Sequence, residues 1–341
     1  MTKRPPPEPY SHAPKRPTPI PDTSISFLEL IHPDTAAPLT LERASAHYAL
    51  QFKTIASKLL SGTCILHITA PNAERIHRFI PCEVEFYIKS KHHPDPYTHV
   101  SAAQSQFGLW RFHKRGNSYA GGTWKGMDIS LGSNLSDDGA APSDAVYGGI
   151  LLRSMVNLDS RRVVEGPCKI VDAILDIVGA QNVADLATRV LMHDLRIDNV
   201  KSSIYISNAE TDMELSPGIL ESPRIGLYLR KAHKEDLRDR RYFVSQLYRF
   251  HSQDVKLVKG KAHTLVGLFL NRQATRESIE EIVMFTGHKK SFVEVCFASF
   301  QAGRKMSYTE FVLLKVINSA SNLCKYFGAI YGDTWKSLEA R

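Results

Sequence analysis

The heptamer CEVEFYI (82–88) alternates polar and apolar side chains. Glu83, Glu85 and Tyr87 recur at every second position, with Val84, Phe86 and Ile88 between them. In a strand, alternate side chains share a face, so two carboxylates about 6.5–7 Å apart and a phenol line one side while the apolar set turns to a core. Carboxylates that close, beside a ring, push one pKa up and let an acid and a base coexist. A solvent-facing strand would carry the same residue types, so the heptamer points to chemistry only in combination with residues further along the chain.

Several short strings carry those residues, in order. HHPDPYTH (92–99) brings Asp95 and His99. RGNSYAGGTWKGMDIS (115–130) is a glycine-containing turn leading into a strand with Asp128. GGILLRS (148–154) sets Arg153 in an apolar strand, and EGPCK (165–169) opens a helix whose N-terminus can hold an anion. SPRIG (222–226) and RRYFV (240–244) come later.

The elements that must position these residues read as α+β. Leu41, Ala44, Tyr48, Phe52, Ile55 and Leu59 recur at helical spacing over 40–62, and Gly62 stops the helix. Strands are expected over 63–70, 78–88, 109–114, 124–131 and 148–155. Helices come next over 166–179 and 182–193, then strands over 202–208 and 222–230. Beyond about residue 270 the pattern is helical, with capping boxes at Ser291/Glu294 and Ser307/Glu310. The expected architecture is a curved mixed or antiparallel sheet with surrounding helices and a C-terminal helical extension. The expected boundaries are a disordered Pro-rich leader over 1–23, an α+β domain over 24–250 and the extension over 251–341.

Composition narrows the setting. The chain has 341 residues, enough for one large domain or two ordinary ones. It lacks a long apolar run and an apolar N-terminal stretch, so neither a membrane span nor a secretory signal is expected. Five scattered cysteines without metal-ligand spacing point to reduced thiols, an intracellular protein and no metal site. The net charge of +8 concentrates between Arg224 and Lys261, where eleven basic residues face four acidic ones. That block is a candidate phosphate-facing surface, or equally a solvated helix face.

In order and spacing, the strings above resemble the alkyladenine (3-methyladenine) DNA glycosylase family over about residues 45–245. The resemblance implies a single mixed α/β domain around a curved antiparallel sheet, and a monomer is expected. It implies hydrolysis of the N-glycosidic bond of a damaged purine flipped out of duplex DNA, without metal, cofactor or lyase step. Such a protein serves base excision repair in the nucleus or cytoplasm. By resemblance Glu85 is the general base, Arg153 an arginine near the catalytic water, and Tyr87 the aromatic that stacks on the base. His99 contacts base and backbone, Tyr119 forms a pocket wall, and Asp128 stands at the rim where the family usually has asparagine. Lys169, Arg224, Arg230 and Lys231 are expected to meet nucleic acid, DNA above all.

The chain also departs from that pattern. Gly121 and Gly122 occupy the place of the family's intercalating tyrosine, with Trp124 as a poorly spaced substitute. The arginine-rich signature that usually comes after the histidine is missing. An ionised Asp128 only accepts hydrogen bonds, which suits a donor-rich or cationic base. The expected substrate is therefore a modified purine in nucleic acid or, alternatively, an unpaired nucleotide or a nucleoside-type small molecule. A non-catalytic nucleic-acid binder is the remaining alternative.

Overall fold

The computed structural model describes residues 26–32, 40–71, 75–133, 145–209, 218–229, 237–314 and 317–332. The leader over 1–23 lies outside them. The chain begins with α1 (Phe27–Ile31) and α2 (Leu41–Leu60), then β1 (Cys64–Thr69), the long β2 (Ile76–Ser90) and the short β3 (His93–Pro94). β4 (Phe107–Phe112) leads to a small hairpin of β5 (Lys114–Arg115) and β6 (Ser118–Tyr119), then β7 (Met127–Leu131), β8 (Tyr147–Asn157) and β9 (Val163–Glu165). After α3 (Pro167–Val178) and α4 (Val183–Asp185) come β10 (Ile204–Asn208), β11 (Ile219–Ser222), α5 (Leu237–Ser245) and β12 (Arg249–Ser252). The rest is helical: α6 (Lys261–Asn271), α7 (Ile279–Thr286), α8 (Lys290–Arg304), α9 (Tyr308–Leu313) and α10 (Ala320–Ile330).

The main sheet runs β10-β1-β2-β8-β7-β4, with β12 also on β2, β11 on β12, β3 on β2 and β9 on β8. Every pairing among the described residues is antiparallel. The fold is α+β with C-terminal helices, and no described helix is long and apolar enough to cross a membrane. β2 holds the centre: β8 runs along one side of it, while β1 and then β12 share the other.

That central place explains the burial of β2. α2 presents Ala44, Tyr48, Phe52, Ile55 and Leu59 as one buried stripe and is capped by the Thr40 hydroxyl. It covers the Val84, Phe86 and Ile88 face, with Phe52 and Phe86 stacked at 4.5 Å. The polar face is closed as well, by Ser222–Ile225 and the first turn of α6, so Glu83 and Glu85 have 1% and 0% exposure.

Three expected elements differ. The helix expected over 182–193 starts as α4, continues as a wide π turn over Leu186–Val190, and has ended before Met192 and His193, which take left-handed φ values of 48° and 62°. The strand expected over 222–230 is a turn: β11 ends at Ser222, and Pro223 then removes a backbone donor. The Ser307/Glu310 box caps α9, whereas α8 starts one residue before Ser291, with Lys289 as its N-cap.

The C-terminal helices form a second buried cluster that reaches back to Leu220, Leu229 and Val244. The core of 251–341 is thus built jointly with β11 and α5, across the expected boundary at 250. α8 and α10 cross closely at Gly303 and Gly328, where a Cβ on either would collide with the other helix's backbone.

Candidate functional site

One register row gathers four of the charged side chains. Arg111 pairs with Asp128, Asp128 with Leu151, Leu151 with Glu85, and Glu85 with Arg249. Residues directly opposite in antiparallel strands share a face, so two carboxylates and two guanidiniums stand on one side of the sheet. Val84 pairs with Leu152 and Glu83 with Ser154, which leaves Arg153 as the extra residue of a bulge on β8. A bulge re-aims its side chain, and Arg153 reaches both carboxylates: Nε to Glu83 Oε1 at 3.1 Å and Nη1 to Glu85 Oε2 at 3.2 Å.

Glu85 is held at three points. Its Oε1 accepts the Ile225 N–H at 2.6 Å, and its Oε2 accepts the Tyr87 hydroxyl at 2.8 Å together with Arg153. Glu83 accepts from Arg249 Nε at 2.7 Å, from Arg153, and from the Ser154 hydroxyl at 2.5 Å. Burial alone would push the Glu83 carboxyl up; Arg249, Arg153 and Ser154 outweigh it and bring the carboxyl down to about 2. Arg153 is shared by the two carboxylates, and Glu83 has Arg249 besides.

Tyr87 links this pair to a third. Burial, then the Glu85 charge, raise its phenol well above the ordinary value, so it stays a donor. Arg224 lies over its ring at 4.6 Å and bonds Asp95 Oδ2 at 2.7 Å and the carbonyls of Phe86 and Phe243. Arg224 is 2% exposed, so its expected place among the nucleic-acid contacts is corrected: its guanidinium is spent on Asp95 and the ring. Asp95, Glu85 and Glu83 balance Arg224, Arg153 and Arg249, giving a charge-neutral buried network.

Asp128 builds a second centre nearer the surface. Its Oδ2 accepts from Arg111 Nη1 at 2.5 Å and its Oδ1 from His113 Nε2 at 3.0 Å. Burial lowers the His113 pKa, but Asp128 and the Trp124 carbonyl prevail and raise it overall. The Asp128 carboxyl, pushed up by burial, is brought below its ordinary value by His113 and Arg111. His99 stands exposed within electrostatic reach of this centre; partial burial, Arg111 and His113 lower its pKa. Tyr119 sits on the hairpin, edge-on to Phe112 at 6.4 Å, with Lys114 over its ring. Trp124 is 70% exposed beside Arg115, and Lys125 bonds Asp172 on α3.

Of the expected basic contacts, Lys169 is exposed in the first turn of α3, while Arg230 and Lys231 lie outside the described residues. Arg249, like Arg224, turns inward, so the 224–261 block is not one continuous surface. Sequence reasoning does not single out Arg249, Arg111, His113, Ser154 or the Ile225 amide. A signal for Arg249 is present all the same: YRFHS (248–252) alternates like CEVEFYI, with Tyr248 and Phe250 on the apolar face.

No family model matches the chain. A stretch of 98 residues, 28% of the chain, is 37% identical to an uncharacterized protein of Acanthamoeba polyphaga mimivirus and covers 45% of that protein. The chain thus spans less than half the length of this relative.

Proposed function

We propose that the protein is a hydrolytic N-glycosylase that cleaves the base–sugar bond of a modified purine in nucleic acid. The observation that carries this reading is the state of Glu85: wholly enclosed, paired with Arg153, and fixed by Ile225 N–H and the Tyr87 hydroxyl. An ionised carboxylate offers about four acceptor positions. Three are used, which leaves one on Oε1. A water donating there has its oxygen turned toward the anomeric carbon. As the C–N bond breaks, its electron pair leaves with the base nitrogen and the water oxygen bonds to the sugar carbon. The water proton passes to Glu85. The carboxylate charge offsets the positive charge that builds on the sugar.

The surrounding residues suit that step. Arg153 Nη1 sets a positive charge 3.2 Å from Glu85 Oε2. Arg224 covers one face of Tyr87, whose partial exposure suits a base stacked on the other. Gly149 faces Tyr87 across β8, and a Cβ there would crowd Asp128 at 3.3 Å, so glycine keeps the floor between them low. With Arg111 and His113 already donating to Asp128, this rim presents both charges, and a base edge there meets donors as well as acceptors. A base that already carries positive charge leaves as a neutral molecule and needs no general acid.

A second reading, action on an unpaired nucleotide, is favoured by the glycines at 121 and 122 beside the exposed Trp124. Base release from alkylated duplex, alkylated single strand and free nucleoside, by wild type and Glu85→Gln, tests both. Release from the single strand but not the duplex selects the second reading. Release by neither protein from any substrate defeats both.

A further inference from the structure

Two helix N-termini converge beside Glu85, and neither has a side-chain cap. α3 starts behind Gly166 (φ 111°) and α6 behind Gly260 (φ 67°). The first-turn amides and the positive dipole end of each helix are therefore open to an acceptor. The two ends touch. The Lys259 N–H donates to the Glu165 carboxylate, and the Lys259 Nζ stands where a Cβ on Gly166 would collide with it. The Glu165 carboxylate, one residue before Gly166, offsets part of the repulsion between this cation and the helix dipole. Gly260 in turn packs on Ile225, the residue whose N–H holds Glu85.

An independent feature points to a ligand at the same place. Arg249 is 0% exposed; its Nε bonds Glu83, and its Nη1 bonds the hydroxyls of Ser222 and Thr264. Its Nη2 has no partner, and it points at Gly260, 3.5 Å from where a Cβ would stand. His263 Nδ1, in the first turn of α6, is enclosed and unpartnered too. A buried charged donor without an acceptor is costly, and native proteins seldom leave one unless a ligand completes it. Gly260 takes a left-handed φ of 67°, and any other residue there would be strained and would collide with the Ile225 side chain, which packs against Gly260 beside Nη2.

We infer that a phosphate group binds between Gly166 and Gly260, accepting from the first-turn amides of α3 and α6, from Lys259 Nζ and from Arg249 Nη2. Resting on the glycosylase reading, this makes the phosphate part of the nucleotide whose base–sugar bond faces Glu85. The substrate is then a phosphorylated unit, in a strand or free, and not a nucleoside. Lys259 and Lys261 are exposed and supply the approach, while the Glu165 carboxylate is occupied by the Lys259 amide.

Binding of the full chain to inorganic phosphate, to a nucleoside 5′-monophosphate and to a short single-stranded oligonucleotide tests this, read by calorimetry independently of any base release. Lys259→Glu is expected to weaken phosphate and oligonucleotide binding about tenfold and to lower the oligonucleotide salt slope by about one. Lys259→Gln should fall between, Lys259→Arg should restore binding, and Lys201→Glu, on the loop before β10, should change little. Competition by the mononucleotide as well as the oligonucleotide assigns the cradle to a free nucleotide; competition by the oligonucleotide alone assigns it to a backbone phosphate. Equal binding by wild type and Lys259→Glu, or equal weakening by Lys201→Glu, overturns the cradle. Lys259-dependent binding without base release by any variant keeps the cradle and removes the hydrolase.

Discussion

Glu85 and Asp128 stand in one register row, two strands apart, each answering to an arginine, yet they are built for different work. Around Glu85 the carboxylate itself and Arg153 are enclosed, Tyr87 and Ile225 are half-buried, the charges cancel, and the hydrogen bonds come from strand, turn and bulge together. Around Asp128 the partners are Arg111 and a histidine with 31% of its side chain exposed, beside a loop that carries Trp124. In a dry, neutral network the low dielectric strengthens each hydrogen bond and makes an unpaired charge costly. A rim carboxylate tied to histidine changes its surroundings near neutrality. On the proposed reading, the same sheet would supply a fixed centre for bond cleavage and an adjustable one for recognition.

The comparison can be broken first through the arginines. Arg249→Met leaves Glu83 with one guanidinium instead of two, and stability should fall by about 3–5 kcal/mol in urea unfolding. Arg111→Met, with His113 still in place to answer the buried Asp128, should cost less, about 1–3 kcal/mol. A reversed order would mean that the enclosed network is not the stronger one. Acid sharpens the contrast. The Glu83 carboxyl lies near about 2 against an ordinary 4.5. Its stabilising contribution is therefore complete above about pH 4.5 and is lost as pH falls toward about 2. Unfolding monitored by circular dichroism should show this loss, and Glu83→Gln should flatten it.

At the rim, Trp124→Ala should weaken single-strand binding by about 1–2 kcal/mol without changing the melting temperature. Anisotropy titrations would check this, and an unchanged affinity would remove Trp124 from the recognition surface. The smallest effect belongs to His113. Its pKa is raised above 6.5, so its ion pair with Asp128 is complete below that pH and is lost as pH rises through the folded value. Asp128→Asn should bring the His113 titration down, as seen by NMR.

Period-two spacing makes the orientation of Glu83, Glu85 and Tyr87 legible in the sequence, because side chains must alternate in any strand. The α2 stripe is legible for the same kind of reason. What covers the polar face is not, since its partners arrive from far along the chain: Ile225 from 140 residues away and Arg249 from 166. β12 is only four residues long, so its alternation is a weak signal that the surrounding basic run obscures. Arg224 is misplaced by sequence reasoning because a basic run reads as surface, whereas this member of it has a buried Asp95 to meet. The bulge that aims Arg153 is a property of pairing between strands, which no single strand displays.

Single-turnover base release from an oligonucleotide carrying an alkylated purine, by wild type, Glu85→Gln and Asp128→Asn, tests the central claim most directly. The account predicts that Glu85→Gln lowers the rate by about 10²–10⁴-fold while binding persists, and that Asp128→Asn mainly alters which base is released. Base release by Glu85→Gln at the wild-type rate would contradict it.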